Sequence, residues 1–171
     1  MKKISSWHVG VAAEAFAAAV FARYGYDVSV QYGANQPEYD LIAVSEDKML
    51  KLSVKGSQDG SWGLTQKYKK KDCDYHEAIQ MWLDEHHKKT IFCLVQFKGT
   101  EPNEMPRIYL AAPEEIAQRL NESAKGRGET ILYENHTWSN RAASSGTTDR
   151  IPAEWMISEE RLKYMFDRYS Q

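Results

Sequence analysis

The chain has 171 residues, of which 42% are hydrophobic and 27% are charged, and its formal net charge is −2 at neutral pH. This composition supports one core of ordinary size and excludes both two comfortable domains and a chain that is disordered over most of its length. The apolar stretch from Val9 to Ala22 contains Glu14 and is too short to span a bilayer, so we expect a single cytoplasmic domain over residues 1–171 with no membrane role.

Hydrophobic periodicity and turn residues predict the elements in chain order. Helices are expected at 6–24, 72–89, 113–123 and 158–169, strands at 26–32, 40–44, 49–55, 90–97, 107–111 and 129–133, and loops at 33–37, 56–63 and 139–150. The first three strands can form an antiparallel meander, and the strand from Thr90 returns through a helical crossover, so it can pair in parallel. The sequence therefore predicts an α/β fold with a mixed sheet and helices on both faces.

Positive charge is concentrated in one part of the chain. Between Lys48 and Lys71 there are seven lysines against one acidic residue, Asp59. A basic island in a mildly acidic protein is a candidate phosphate-binding face. The alternative is a solvated lysine face, which the charge pattern alone favours.

The strands 40–44 and 49–55 flank a short turn, and this sets their expected register. If Val44 faces Met49, Asp40 faces Ser53, with Cβ atoms about 4.5–5.5 Å apart, and Lys55 is the diagonal neighbour of Asp40 at about 7–8 Å. One face of the hairpin is then apolar. The other brings a carboxylate, a hydroxyl and the ammonium groups of Lys51 and Lys55 together. On pairing alone, an exposed sheet face with a surface ion pair is the simpler interpretation.

Glu14 is the only charged side chain between Val9 and Ala22. A carboxylate on an alanine-rich helix that packs on a sheet is costly unless it is exposed, paired or bound to a cation. Together with Asp40 it supplies hard oxygen ligands of the kind that Mg²⁺ or Mn²⁺ prefers. A lysine beside such a metal can position a water and offset charge on a phosphate, which is the chemistry of phosphodiester hydrolysis. An outward-facing, solubilising charge is the alternative interpretation of Glu14.

These residues resemble the PD-(D/E)XK nuclease superfamily, in which an acid on the first helix precedes a hairpin with an Asp on one strand and an acid-x-Lys on the next. Glu14 matches the helix acid, Pro37-Glu38-Tyr39-Asp40 matches the Pro-Asp region with two residues inserted, and Ser53-Val54-Lys55 stands where acid-x-Lys belongs. The similarity is greatest to small stand-alone members related to Holliday-junction resolvases. It covers a nuclease-like core of about 6–97 and leaves 105–171 as a C-terminal extension. It implies a restriction-endonuclease-like fold, a mixed β-sheet flanked by helices with an αβββαβ core.

The resemblance also implies roles for the matched residues. Asp40 and Glu14 are expected to bind Mg²⁺ or Mn²⁺, with the backbone carbonyl of Val54 as a further ligand, and Lys55 is expected to act on the water and on transition-state charge. Ser53 occupies the position of the second acid, and its neutral hydroxyl is a weaker ligand than a carboxylate. Glu38 and Glu46 are candidates to replace that acid. The implied partner is DNA, and a homodimer is compatible with the resemblance.

Further residues are candidates for contact with nucleic acid. They are Lys51, Trp62, Gln66, Lys67, Tyr68, Lys69, Lys70 and Lys71. The lysine run can hold the phosphate backbone, and Trp62 can stack on a base or wedge between bases, although ordinary packing is the alternative for this ring. For Gln66 and Tyr68, the resemblance implies support of the site and of the DNA.

Two functions of different classes follow from these observations. The first is metal-dependent endonuclease or resolvase-like hydrolysis of DNA. The second is a catalytically decayed nucleic-acid-binding or protein-interaction module on a nuclease fold. Ser53 favours the second, whereas the joint presence of Glu14, Asp40 and Lys55 favours the first. An unrelated α/β domain with a surface ion pair is a third interpretation.

Overall fold

The computed structural model describes residues 4–31, 38–86, 88–139 and 145–171, so Tyr32 and Pro37 lie outside the described residues. Its helices and strands are α1 (Ser6–Arg23), β1 (Asp27–Val30), β2 (Leu41–Ser45), β3 (Lys48–Ser57), β4 (Ser61–Gly63), α2 (Tyr75–Glu85), β5 (Thr90–Gln96), β6 (Arg107–Ala111), α3 (Pro113–Gly126), β7 (Ile131–Tyr133), β8 (Asn135–Thr137), β9 (Thr148–Arg150) and α4 (Glu159–Tyr169). Short 3-10 turns lie at Gln66–Tyr68 and Ala153–Trp155. None of the described helices is long and apolar enough to cross a membrane.

Five strands form the main sheet in the order β1-β2-β3-β5-β6. The pairs β1–β2 and β2–β3 are antiparallel, β5 runs parallel to β3 after the crossover through α2, and β6 is antiparallel to β5. The predicted antiparallel meander and the parallel return are therefore confirmed. The predicted α/β class, with a mixed sheet flanked by helices, is also confirmed.

The hairpin of β2 and β3 has the predicted register. Val44 pairs with Met49, and Ile42 pairs with Lys51. Asp40, one residue before β2, donates its N–H to the Leu52 carbonyl at 2.8 Å. Leu52 already pairs with Leu41, so this bond departs from the register at the start of β2, and Asp40 does not form the predicted pair with Ser53. The register follows from the short turn, because a slip by one residue would move the whole apolar set to the other face.

Apolar residues cover both faces of the sheet. On one face, α1 and α4 pack over a cluster that includes Leu41, Leu52 and Val54. On the other face, α2 and α3 pack over a second cluster around Phe92 and Leu94. The central strand β5 is buried along its whole length, which explains why its sequence is apolar without alternation.

Helix α1 begins at a cap that the sequence encodes. The Ser5 hydroxyl accepts the His8 N–H, and the His8 ring nitrogen Nδ1 accepts the Ser5 N–H at 3.2 Å, so two otherwise unpaired donors are satisfied. After the helix, Gly25 adopts a φ of 87°, a conformation that suits glycine. The expected helix over 6–24 is therefore confirmed to within one residue.

The structure differs from the expected elements mainly outside the central sheet. β3 continues to Ser57, and the segment expected as a loop at 56–63 also contains β4, which pairs with β7. The loop expected at 139–150 contains β9, paired with β8, whereas its residues 140–144 lie outside the described residues. These short strands pair only with partners far along the chain or across a turn, so local periodicity does not reveal them.

A close contact between α1 and β3 depends on Gly56. A Cβ atom at this position would lie 2.8 Å from the Cβ of Ala13 and 2.8 Å from the carbonyl oxygen of Val9. Both distances are far shorter than real contacts between such atoms. Glycine therefore allows the helix to lie directly against the strand.

We expect Gly56→Ala to destabilise the fold by about 1–3 kcal/mol, because α1 must move away from β3 to make room for the methyl group. Gly10→Ala, on α1, is the matched control, since a Cβ there meets nothing within 4 Å. It should stabilise the fold by up to about 1 kcal/mol through helix propensity. Urea denaturation measures both. A Gly56→Ala variant as stable as the parent would contradict the close contact.

Candidate active site

Asp40 is held at the point where β2 begins. Besides its backbone bond to Leu52, its carboxylate oxygen Oδ2 accepts the backbone N–H of Val54 at 2.6 Å. The N–H and the carbonyl of one residue point to the same side of a strand. The Val54 carbonyl therefore points to the side of β3 that carries Asp40, where β2 no longer covers the strand. This position fits the expected use of the Val54 carbonyl as an oxygen ligand.

Glu14 reaches the same place from α1. Its neighbour Ala13 makes the close contact with Gly56, and Gly56 is in turn the neighbour of Lys55. Burial raises the pKa of the Glu14 carboxyl, the negative charge of Asp40 raises it further, and the ammonium group of Lys55 lowers it. The structure thus brings Glu14, Asp40 and Lys55 within electrostatic reach of one another. Glu14 is partly buried near other charged groups, which does not match a solitary charge in solvent.

Ser53 is almost fully buried, with 3% of its surface exposed. It pairs with Phe92 across the parallel ladder, on the face covered by α2 and α3. Among the described residues, no group of three or more His, Cys, Asp or Glu side chains is placed to hold a metal ion. Any metal here would therefore bind to two carboxylates, with carbonyl, water or substrate oxygens completing its shell.

Neither proposed substitute for the second acid joins the site. Glu46 lies in the turn at the opposite end of the hairpin, about 20 Å from Asp40 along an extended strand. Glu38 is exposed and belongs to no metal-binding group among the described residues. The idea that Glu46 replaces the acid is therefore wrong, because strand geometry separates it from Asp40.

Lys55 borders an open cleft of about 350 Å³. The remaining lining comes from the start of α1, the end of β3, the following loop and β4. The indole N–H of Trp62 donates to the Lys55 carbonyl at 2.9 Å, which fixes β4 against the end of β3. The Lys55 side chain itself is exposed, so its ammonium group is free to meet a ligand in the cleft.

Two aromatic residues expected to contact nucleic acid are buried instead. Trp62 is 3% exposed and packs in the second core cluster, so it cannot stack on a base. Tyr68 is 8% exposed and donates its hydroxyl to Glu85 of α2. Both residues hold the segment after β3 onto the body of the protein. The expectation that these two rings contact nucleic acid is therefore wrong, because both are buried.

The basic residues are distributed unevenly around the site. Lys51 donates to Gln171 at 3.0 Å, and Lys67 lies 3.7 Å from Glu85, so both are engaged within the protein. Lys69 lies over the ring of Tyr75, with 5.2 Å between its Nζ and the ring centroid. Gln66, Lys70 and Lys71 are exposed. The free positive charge of the run is therefore concentrated at its end.

One group beside the cleft was not anticipated from the sequence. The Asp59 carboxylate accepts hydrogen bonds from the Ser57 hydroxyl at 3.0 Å, the Ser61 N–H at 3.0 Å and the Ser61 hydroxyl at 2.9 Å. Although partial burial acts in the opposite direction, these bonds hold the pKa of Asp59 below its usual value. Asp59 shapes the loop that forms the cleft wall, and its serine neighbours are the only sequence signal for this role.

Among solved structures, this chain is similar to a bacterial homing endonuclease. The TM-score is 0.52 at 13% sequence identity, and the match covers 96% of this chain and 95% of that chain. Similarity at this level of identity shows a shared fold. No protein-family model matches the chain, and no curated protein matches it.

The raised pKa of Glu14 predicts a pH-dependent effect on stability. Because the folded-state pKa lies above the value of 4.5 for a free carboxyl, ionised Glu14 costs the folded state free energy at neutral pH. That cost disappears as the pH falls through the raised pKa. We expect Glu14→Gln to stabilise the metal-free protein at neutral pH by less than about 1 kcal/mol, since solvent screens the charge.

Thermal unfolding at neutral pH and near the carboxyl's ordinary pKa tests this expectation. The gain should shrink at the lower pH, and the exposed Glu154→Gln serves as a control that should change little at either pH. A Glu14→Gln variant that is less stable than the parent at neutral pH would show that Glu14 is favourably paired rather than crowded by Asp40.

Proposed function

We propose that this protein is a metal-dependent nuclease that hydrolyses phosphodiester bonds of DNA through a PD-(D/E)XK-type site on a restriction-endonuclease-like core. The observation that carries the proposal is the convergence of Glu14, Asp40 and Lys55, of which Lys55 lines an open cleft. The fold shared with a homing endonuclease supports it at the level of architecture. The resemblance to resolvase-like nucleases extends the proposal to a homodimer.

The residues at the site suit a hard divalent cation. Glu14 and Asp40 are two carboxylates whose negative charges disfavour each other, and a bound cation would relieve that cost. Mg²⁺ commonly binds through one or two carboxylates and keeps several waters for the rest of its shell. When bound, Mg²⁺ or Mn²⁺ would polarise a phosphoryl oxygen and make a water more acidic.

Lys55 would act on the substrate directly. Its exposed side chain lines the cleft and is within electrostatic reach of Glu14. From there it can bind a phosphate oxygen, offset the charge that develops in the transition state, and orient the attacking water. The exposed Lys70 and Lys71 can hold the strand through its phosphates, independently of base sequence.

A second candidate function rests on Ser53. The position that normally carries the second acid holds a buried hydroxyl, and the described residues offer no third acid to the site. With one negative charge fewer, a metal binds more weakly. A protein with this defect can keep the cleft and the basic surface and serve as a nucleic-acid-binding module without cleavage.

Cleavage assays separate the two functions. We expect the wild-type protein to cut labelled single-stranded, duplex or branched DNA with Mg²⁺ or Mn²⁺ and not with EDTA. Lys55→Gln should lower the rate by about a hundredfold or more, because it removes a charge that is most useful in the transition state. Lys48→Gln, at the opposite end of β3 and paired with Asp167 at 3.4 Å, is the matched control and should cut normally.

Comparing DNA cleavage with DNA binding distinguishes the nuclease from the binding module. Equal cutting by wild type and Lys55→Gln would place the chemistry elsewhere or mark it as a contaminant. DNA binding without cutting on all three substrates would favour the decayed module.

A further inference from the structure

The end of α3 adopts a backbone conformation that most residues avoid. Ala124 and Lys125 have φ values of 54° and 58°, and Gly126 and Gly128 have φ values of 83° and 87°. The left-handed region is unfavourable for a residue that carries a Cβ atom. Two such residues in succession must therefore be held by their surroundings, and strain of this kind is concentrated at functional positions.

Two contacts hold this segment in place. The buried Asp149 carboxylate accepts the Ala124 N–H at 2.9 Å and the Trp138 indole N–H at 2.7 Å through one oxygen, and Arg119 at 3.1 Å through the other. A Cβ atom at Gly128 would lie 2.8 Å from the Cβ of Tyr75, so only glycine allows this approach. Two side chains lie between these anchors: Lys125, which donates to the Ser145 carbonyl at 3.1 Å, and Arg127.

The segment presents Arg127 between two aromatic rings. Its guanidinium carbon lies 5.0 Å from the ring centroid of Tyr75 and 5.1 Å from that of Trp138. Next to Trp138, the rings of His136 and Tyr133 stack on each other with centroids 4.1 Å apart. These five residues, Tyr75, Arg127, Tyr133, His136 and Trp138, are called the aromatic platform here, and all four rings are only partly buried.

The aromatic platform adjoins the candidate active site. Tyr133 pairs with Ser61 across the two-stranded sheet of β7 and β4, and Ser61 lines the cleft that Lys55 borders. In the same sheet, Trp62 and Leu132 are buried, so Tyr133 and Ser61 lie on the outward side. Neighbouring strands are about 5 Å apart, so a strand of nucleic acid in the cleft can reach the platform within one or two nucleotides.

Positive charge accompanies the rings. Lys69, from the basic run, lies over the same Tyr75 ring as Arg127. The side chain of Arg127 is 41% exposed even though it pairs with Glu129 at 3.0 Å. The cations lie over the rings of Tyr75 and Trp138, so the ring faces offered to a base are the outer faces of the stacked Tyr133 and His136. A base can stack there while its phosphate meets Arg127 or Lys69.

We propose that the aromatic platform binds unpaired nucleotides of a DNA strand next to the point of cleavage. The inference rests on the proposed function, since it describes part of the substrate of that same site. Bases in an intact duplex are stacked on their neighbours and offer no free face to Tyr133 or His136. Unpaired bases do offer one, so the platform selects DNA that is single-stranded or branched beside the cleft.

Fluorescence anisotropy with a labelled oligonucleotide, in EDTA so that no cleavage occurs, tests this proposal. The same sequence is presented as a single strand and as a blunt duplex. We expect Tyr133→Ala to weaken binding of the single strand about tenfold, the loss typical of one stacked base, and to leave duplex binding within about twofold. His136→Ala removes the ring that stacks on Tyr133 and should act in the same direction.

Tyr24→Ala is the control, because Tyr24 is an exposed aromatic residue at the end of α1, on a different element from the platform. Thermal melting shows whether each variant is folded. If Tyr133→Ala does not fold, His136→Ala still tests the proposal. Equal losses for single strand and duplex, or no loss in either variant, would overturn the proposal. A wild-type protein that cuts duplex DNA but does not bind single strands would overturn it while leaving the nuclease function intact.

Discussion

The contact between α1 and Gly56 of β3 is the constraint on which the candidate active site depends. Ala13 and Gly56 touch without room for another atom, and each has a charged neighbour in sequence, Glu14 on the helix and Lys55 on the strand. The packing of two small residues therefore sets the separation of two chemical groups. Asp40 joins them because β2 begins at that level and its carboxylate bonds to the Val54 N–H. Apolar packing and site geometry are the same feature of the fold.

This arrangement opposes stability in the absence of a ligand. Burial first, and then the negative charge of Asp40, raise the pKa of Glu14, and Lys55 acts in the opposite direction without restoring its ordinary value. A chain under selection for stability alone gains nothing from this carboxylate on an otherwise apolar helix. The left-handed segment that presents Arg127 is a second place where local preference is overridden. Lys55 and Ser61 line one cleft, and Ser61 pairs with Tyr133 of the aromatic platform, which links the proposed chemistry to the proposed binding surface.

The parts of the molecule that follow from short-range rules could be predicted from the sequence. The hairpin register follows from a short turn and a period of two, and the charge of Glu14 in an apolar helix indicated a site before any geometry was known. The burial of Trp62 and Tyr68 could not be predicted in this way. Trp62 is buried because β4 pairs with β7, about seventy residues later, and Tyr68 because Glu85 of α2 accepts its hydroxyl. The aromatic platform has no sequence signature, since tertiary contacts force Ala124 and Lys125 away from their preferred conformation.

The central claim is that Glu14 and Asp40 together hold a divalent cation. Titration calorimetry of Mn²⁺ into the metal-free protein, and into Asp40→Asn, tests it most directly, because the asparagine keeps the shape of the side chain and removes its charge. The account predicts one binding event in the wild-type protein that is lost in the variant and weakens as the pH falls and Glu14 takes up a proton. Binding of equal strength in both proteins, or no binding in the wild type at millimolar Mn²⁺, would contradict it.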